Sequence, residues 1–224
     1  MSWWPFGRKN TAELADFVRK YLESNRISIP NIREISRLNF VVLDTETSGW
    51  NTNKDEVLSF GAVKIQNQSI LISSSVEWYP QVDMKGEKAA TIHGLVQTQN
   101  QLEPGLFFQK VLAYLGDGII VGHHVGFDLE MLLRIGRKFG LDAFPNPVID
   151  TKILTLRLEH GPRADFNHFK PEAYQLDQVC ARFGIRLEDR HTAAGDAFLT
   201  AQLLLKLLAL AQKKGIRTYQ DLMR

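Results

Sequence analysis

The sequence predicts an α/β domain built on a mixed β-sheet, and two observations lead to that fold class. Three short segments of strand type come first, and helical segments then alternate with two more short strands. The short polar turn at residues 66–68 joins the second and third strands, which predicts an antiparallel hairpin. The length of 224 residues suits one domain with a substantial core and a short extension.

The elements are predicted from apolar runs and apolar periodicity along the chain. Residues 40–43 are wholly apolar, as in a strand buried on both faces. In residues 127–139 the apolar positions recur at helical spacing. The predicted strands are residues 40–43, 57–65, 69–78, 118–121 and 147–149. The predicted helices are residues 106–115, 127–139, a segment from Asp150, 176–183 and 193–211.

Residues 1–38 are predicted to form a helical extension, and residues 39–224 the main domain. Asn10 can cap a helix that has Glu13 at its third position, which is the pattern of a capping box. Apolar residues then recur at helical spacing through residues 14–22. Two interpretations are open: a helix packed on the main domain, or an arm that docks a partner protein. Aromatic side chains are favoured in such contacts, and the candidates are Trp3, Trp4 and Phe6.

Composition excludes several classes of protein. The net charge of +2 is too small to indicate a nucleic-acid partner, so any positive surface must be local. The single cysteine, Cys180, cannot form an intramolecular disulfide, and no Cys/His cluster has zinc-site spacing. Residues 1–10 lack the apolar core of a secretory signal, and the apolar run at 193–211 is interrupted by polar residues. We therefore predict a cytoplasmic protein without a membrane partner.

Two acidic side chains come directly after the first predicted strand, in the segment LDTETSG. Asp44 and Glu46 are two residues apart, and alternate side chains of an extended chain point the same way. Adjacent carboxylates repel each other unless a cation compensates, and Mg²⁺ takes oxygen ligands. Such a pair also occurs on ordinary solvated turns, but the end of a strand in an α/β sheet is a common ligand site.

Two further carboxylates begin predicted helices. Asp128 follows the second buried strand, in VGHHVGFDLEMLL, and Asp196 lies in HTAAGDAF, five residues after His191. Each alone could be an acid that the helix dipole favours. Together with the first pair they make four carboxylates, which can hold two divalent cations and so promote phosphodiester hydrolysis. The unperturbed pKa of histidine, about 6.5, suits His191 to accept a proton from the attacking water.

These residues resemble the three motifs of the DEDDh 3′→5′ exonuclease family, whose best-known member is the epsilon proofreading subunit of bacterial DNA polymerase III. The first motif, D-T-E-T-x-G, corresponds to residues 44–49, and the second, with a histidine and then F-D, to residues 123–128. The third, H-x-A-x-x-D, corresponds to residues 191–196. A sister branch has tyrosine four residues before the last aspartate, where this chain has Thr192. The resemblance spans residues 39–212 and points to the histidine branch.

The resemblance implies a ribonuclease-H-like fold, in which helices flank a five-stranded mixed sheet. It implies two divalent cations, Mg²⁺ or Mn²⁺, and stepwise release of nucleoside 5′-monophosphates from a 3′ end. The implied metal ligands are Asp44, Glu46, Asp128 and Asp196, with His191 as the general base. The predicted substrate contacts are Thr45, Thr47, His93, His123 and Phe127. Family members usually carry asparagine where this chain has His124, a difference that bears on substrate positioning or rate, unless His124 is simply a surface residue.

Three functions remain open at this point. The first is an exonuclease that acts on single-stranded or frayed 3′ ends of DNA. It would work alone, in repair, or in proofreading with a DNA polymerase or other partner bound through residues 1–38. The second is an RNA-directed exonuclease that resembles oligoribonuclease or RNase T, and the two differ in how they treat a 2′-hydroxyl. The third is a non-catalytic nucleic-acid-binding module, which the presence of all four carboxylates and the histidine disfavours.

Overall fold

The structure, a computed structural model, describes residues 13–82, 100–163 and 168–224, and its named strands form a five-stranded mixed sheet. The strands are β1 (Phe40–Thr47), β2 (Val57–Gln66), β3 (Ser69–Trp78), β4 (Ile119–Gly122) and β5 (Val148–Asp150). Their spatial order is β3-β2-β1-β4-β5, with antiparallel pairing among β1, β2 and β3 and parallel pairing of β1 with β4 and of β4 with β5. The predicted mixed sheet is confirmed. So is the hairpin, whose turn residues Asn67 and Gln68 both have positive φ.

The helices lie close to their predicted positions. They are α1 (Asp16–Ser24), α2 (Pro104–Leu115), α3 (Gly126–Gly136), α4 (Thr151–His160), α5 (Leu176–Arg182), α6 (Ala193–Lys213) and α7 (Tyr219–Met223). The carboxylate of Glu103 caps α2 by accepting the backbone N–H groups of Gly105 and Leu106. Helix α7 was not predicted, because five residues are too few to show a period. Its capping box, formed by Thr218 and Asp221, was its only local signal.

Strand β1 lies at the centre of the sheet, and its side chains alternate between two hydrophobic cores. Phe40 and Val42 are buried with residues of α4, α5 and α6 on one face. Val41 and Leu43 are buried with residues of α1, α2 and α3 on the other. Both faces of the strand are therefore covered, which is why its sequence is an unbroken apolar run.

Strand β1 extends beyond the end that the apolar run predicts. It pairs with β2 as far as Thr47, opposite Val57, and Asp44 lies opposite Gly61. The acidic pair thus lies inside the strand and not after it. The reason is that an antiparallel neighbour supplies hydrogen-bond partners regardless of side-chain polarity.

Helix α6 crosses the sheet over β1 and β2. By length and composition alone it could span a membrane, but more than half of its most apolar stretch is buried inside the protein. Its leucines, such as Leu203 and Leu204, are fully buried in the core over β1. Its apolar composition is accounted for by this role as the central core helix.

A glycine allows the first turn of α6 to approach the sheet. A Cβ atom built on Gly61 would lie 2.0 Å from the backbone carbon of Ala193. Since real Cβ atoms do not come so close to backbone, only glycine fits at this point of β2. The contact brings the beginning of α6, including Asp196, next to β1.

Helix α1 begins at Asp16 and not, as predicted, after Asn10. Ala15 has extended backbone and donates its N–H to the carbonyl oxygen of Phe139 at 3.1 Å. Glu13 is not helical, so the predicted capping box with Glu13 is wrong. A hydrogen bond to a distant part of the chain, which local sequence does not reveal, determines where the helix starts. Asn10 itself lies outside the described residues.

The described part of the extension packs on the main domain. Val18 and Tyr21 are buried, and the Tyr21 hydroxyl donates a hydrogen bond to the side-chain oxygen of Asn146. The Asn146 amide donates in turn to the carbonyl oxygens of Gly116 and Gly118. This packing agrees with the first interpretation of the extension. The aromatic candidates for a docking arm, Trp3, Trp4 and Phe6, lie outside the described residues.

We expect Gly61→Ala to lower the free energy of unfolding by about 1–3 kcal/mol, the usual cost of overpacking a core. The added methyl group would push the first turn of α6 away from β2. Chemical denaturation monitored by circular dichroism would measure the change. The matched control is Gly126→Ala in α3, where no atom of the described residues outside its own helix lies within 4 Å of the added carbon. Equal stability of the two variants would contradict the close approach.

Candidate active site

Three carboxylates from two elements converge at the end of β1. The alternation that places Phe40 and Val42 toward α6 continues through Asp44 and Glu46. Asp196 lies in the first turn of α6. One oxygen from each of Asp44, Glu46 and Asp196 lies within 4.8 Å of the others, close enough to share a metal ion. Carboxylate oxygens at this spacing are suitable ligands for a hard divalent cation.

The fourth carboxylate, Asp128, is held from the opposite face of β1. Thr45 points toward α3, and its backbone N–H and hydroxyl both donate to Asp128 Oδ1, at 2.9 and 2.6 Å. Asp128 is 5% exposed and Thr45 is 8% exposed, so this contact is shielded from water. Thr45 therefore fixes the orientation of Asp128 beside the three converging carboxylates.

Burial raises the pKa values of three of these carboxyl groups, and for two of them repulsion within the cluster adds to the shift. For Asp44 the pKa lies well above its usual range because of burial and of the neighbouring Asp128, Asp196 and Glu46. Burial raises the pKa of Asp128 to about 7, although its hydrogen bonds from Thr45 oppose the shift. The pKa of Glu46 is also raised, first by burial and then by Asp196. Such a cluster favours a compensating cation.

A basic side chain already contacts this cluster. The guanidinium of Arg190 forms an ion pair with Asp196 and a second with Asp177, in which Nε and Oδ1 are 2.5 Å apart. Asp177 lies in the first turn of α5. Arg190 thus links the first turns of two helices at the edge of the carboxylate cluster. Neither Arg190 nor Asp177 is recognisable from the sequence, because neither belongs to a motif and their pairing depends on the fold.

His191 lies on the loop that leads into α6. Its backbone is in the left-handed region, with φ of 65°, and its side chain is exposed. The next residue, Thr192, caps α6 by accepting the N–H of Gly195 at 3.0 Å. Its ring lines the same cleft as Glu46, and a positive charge on the ring would lower the pKa of that carboxyl group.

The carboxylates line a cleft of about 710 Å³, and an aromatic pair stands at its side. The rings of Trp50 and Phe127 are 5.3 Å apart, and both side chains line the cleft. Trp50 is 84% exposed, so its ring is accessible from the cleft. Thr47 also lines the cleft, and its hydroxyl donates to the carbonyl oxygen of Gly49. Of these residues, Trp50 was not predicted; its signal in the sequence is its place directly after the first motif.

The loop that carries Trp50 is organised by a buried acid. Asp55 is 8% exposed, and it accepts hydrogen bonds from the Ser48 hydroxyl and from the backbone N–H of Asn51. Glu56, at the end of the loop, forms an ion pair with Arg134 of α3. Hydrogen bonds within the loop and the ion pair with α3 therefore determine the position of Trp50.

The two histidines of the second motif differ in their surroundings. Both ring nitrogens of His123 are engaged, by the Thr151 hydroxyl at 2.9 Å and by the Tyr174 carbonyl oxygen at 2.8 Å. Burial lowers the pKa of His123, which favours the neutral form of its ring. It lines the cleft while linking β4 to the segment before α5.

His124 has left-handed backbone, with φ of 67°, and an exposed side chain. Its N–H donates to the carboxylate of Asp150, which also caps α4. Asparagine and histidine both tolerate this backbone better than most residues. The difference from the usual family residue therefore leaves the backbone of the motif undisturbed.

Nine of the ten predicted site residues lie in the described part of the chain and line this cleft. They are Asp44, Thr45, Glu46, Thr47, His123, Phe127, Asp128, His191 and Asp196. The tenth, His93, lies outside the described residues. The fold thus brings together residues that are separated by up to 152 positions in the chain.

Comparisons with known proteins agree with this geometry. Residues 41–204 match the family RNase_T, described as exonuclease. The chain is 34% identical over 188 residues to a PolC-type DNA polymerase III of Thermotoga maritima, and the match covers 82% of this chain and 13% of that protein. It is 28% identical to a DNA polymerase III subunit epsilon of Aquifex aeolicus, over 83% of this chain and 88% of that one.

A solved structure of Escherichia coli exonuclease I, with zinc and single-stranded DNA bound, has the same fold. The TM-score is 0.60 at 17% identity, and the match covers 80% of this chain and 42% of that one. The ribonuclease-H-like fold that the motifs imply is confirmed. The chain thus corresponds to most of an epsilon-type protein but to only a small part of a PolC-type polymerase.

We expect the metal-free protein to lose stability as the pH rises. The pKa of Asp128 is raised to about 7 in the folded protein, so the folded state holds a proton that the unfolded chain releases near pH 4. That stabilisation is present at low pH and is lost as the pH rises through about 7. The loss is about 1.4 kcal/mol per pH unit for such a group. In EDTA, the melting temperature should therefore be several degrees lower at about pH 8 than at about pH 5.5.

Scanning calorimetry with and without Mn²⁺ would test this pH dependence. Added Mn²⁺ should raise the melting temperature more at the higher pH, where the carboxylates are ionised. Asp128→Asn keeps an acceptor for Thr45 but cannot ionise, so it should flatten the pH dependence. An equal slope in the two proteins would contradict the assignment to Asp128.

Proposed function

The chain belongs to the exonuclease family RNase_T, and we propose on that premise that it is a metal-dependent 3′→5′ exonuclease acting on DNA. It would remove nucleoside 5′-monophosphates one at a time from single-stranded or frayed 3′ ends. The observation that carries the proposal is the convergence of Asp44, Glu46 and Asp196, with Asp128 beside them, in one cleft. A cluster of this kind has no evident structural purpose, because its carboxylates repel one another.

The similarity to known proteins favours DNA as the substrate. The relatives named above are a DNA polymerase and a DNA polymerase subunit, and the exonuclease I structure holds single-stranded DNA. The cleft of about 710 Å³ is large enough for a terminal nucleotide. The exposed Trp50, paired with Phe127, offers an aromatic surface on which an unpaired base can stack.

Two divalent cations, Mg²⁺ or Mn²⁺, would be held by Asp44, Glu46, Asp128 and Asp196. The spacing and the oxygen chemistry of the donors fit such ions. When bound, the ions would supply an activated water and would neutralise charge on the scissile phosphate. Thr45 would keep Asp128 oriented toward the site through its two hydrogen bonds.

His191 would act as the general base. Its side chain is exposed at the mouth of the cleft and near Glu46, where it can accept a proton from water and release it to solvent. Thr47 and His93 are proposed to contact the terminal nucleotide. His123 would contact the substrate from the wall of the cleft with the face or edge of its ring, because both its ring nitrogens are bound to the protein.

A partner and a location belong to the same proposal. Residues 1–38 would dock a DNA polymerase or another replication or repair protein through the part that precedes α1. The buried face of α1 is occupied by the domain itself. The buried free thiol of Cys180 suits the reducing cytoplasm.

We expect the protein to shorten a 5′-labelled single-stranded DNA oligonucleotide one nucleotide at a time when Mg²⁺ or Mn²⁺ is present. Asp44→Asn should reduce the rate by about three orders of magnitude or more, because metal ions contribute several kcal/mol to such reactions. Gel electrophoresis of the labelled products would measure both rates. Asp142→Asn, which changes an exposed acid elsewhere, is the matched control.

The same assay separates the alternatives. Faster degradation of a matched RNA would identify an RNA-directed exonuclease. If neither nucleic acid is degraded while control nucleases are active in the same assay, the result would contradict the proposal and support the non-catalytic module.

We expect His191→Gln to lower kcat by about 10²–10⁴-fold, the usual contribution of a general base. Divalent-cation affinity should be unchanged, because His191 is not a proposed ligand. Single-turnover kinetics and Mn²⁺ titration would measure the two quantities. Wild-type kcat in this variant would remove His191 from the mechanism, and a loss of Mn²⁺ binding would reassign it as a ligand.

A further inference from the structure

Arg190 occupies a position that conflicts with cation binding at the carboxylate cluster. Its Nη1 is paired with Oδ1 of Asp196, one of the three carboxylates whose oxygens converge. Its charge also acts on Asp44 and Glu46. A divalent cation ligated by Asp196 would be placed beside a guanidinium, and two cations at such short range repel each other.

Asp177 gives the guanidinium a second partner outside the cluster. It lies on α5, and its Oδ1 is 2.5 Å from Arg190 Nε. The Asp177 side chain is 40% exposed and that of Asp196 is 10% exposed, so the Asp177 carboxylate has more free space around it, although its Oδ1 is itself buried against Arg190. Nε and Oδ1 form an ion pair but make no hydrogen bond in the present geometry. A rotation of the planar guanidinium that releases Nη1 from Asp196 would let Nε donate to Asp177.

We propose that Arg190 is a displaceable internal cation, which neutralises Asp196 in the metal-free protein and moves onto Asp177 when a divalent cation binds. This inference rests on the proposed function, because it assumes that the cluster binds such ions. Arg190 would then be a positioning residue that sets metal affinity. Since it directly precedes His191, its movement would also reach the loop that carries the proposed base.

Metal binding and displacement can be measured without any nuclease assay. Isothermal titration of the full chain with Mn²⁺ would compare the wild type with Arg190→Gln, Asp177→Asn and the double variant. We expect Arg190→Gln to bind Mn²⁺ about tenfold more tightly, a usual size for coupling between two competing ligands. Asp177→Asn should bind several-fold more weakly than the wild type, because Arg190 then loses the second of the two carboxylates that pair with it in the described part of the chain. In the Arg190→Gln background, Asp177→Asn should have little effect.

Arg186→Gln is the matched control, since it removes the same charge from an exposed position four residues away. It should change Mn²⁺ affinity by less than about twofold, as expected for a solvated surface charge. Unchanged or weaker Mn²⁺ binding by Arg190→Gln would overturn the inference. Equal effects of Asp177→Asn in both backgrounds would overturn it as well.

A measurement on the wild-type protein covers the case in which a variant fails to fold. The NMR signal of Arg190 Nε–H, assigned by its loss in Arg190→Lys, should shift during Mg²⁺ titration with the midpoint of Mg²⁺ binding. A stationary signal during binding would contradict displacement and leave the proposed exonuclease intact. Absence of Mg²⁺ or Mn²⁺ binding by the wild type would overturn both proposals.

Discussion

The alternation of side chains along β1 is the constraint on which the site depends. One face of the strand carries Phe40 and Val42 into the core under α6, and the same face then presents Asp44 and Glu46 to Asp196. The other face presents Thr45 to Asp128 on α3. A single extended segment thus gathers acids from both helical layers. A shift of one residue in its register would exchange the two sets of side chains.

The geometry of the cluster has an energetic cost. Four carboxyl groups stand close together in surroundings that are largely shielded from water, and burial is the largest cause of the raised pKa values of Asp44, Glu46 and Asp128. The apolar cores on both faces of the sheet offset this cost, because they hold the backbone in place whether or not the acids are ionised. Such a separation between a rigid scaffold and an unfavourable polar site is what pre-organised catalysis requires.

Much of the fold and most of the site were predictable from local patterns. The four acids and His191 follow or begin regular elements, and the ends of such elements meet at one edge of a sheet. What could not be predicted depends on partners that are distant in the chain. Helix α1 starts later than predicted because Ala15 is hydrogen-bonded to Phe139, and β1 ends later than predicted because it pairs with β2. The link between Arg190 and Asp177 likewise exists only once α5 and α6 are packed together.

The left-handed backbone at His124 bears on how variation within a motif should be weighed. A substitution table scores asparagine against histidine by side-chain chemistry, where the two differ in charge, size and aromaticity. The structure ties this position to the motif through φ and through a main-chain N–H that binds Asp150. Asparagine and histidine both adopt positive φ more readily than most residues, so exchanging them preserves the backbone here. A β-branched residue, which disfavours positive φ, would disrupt it.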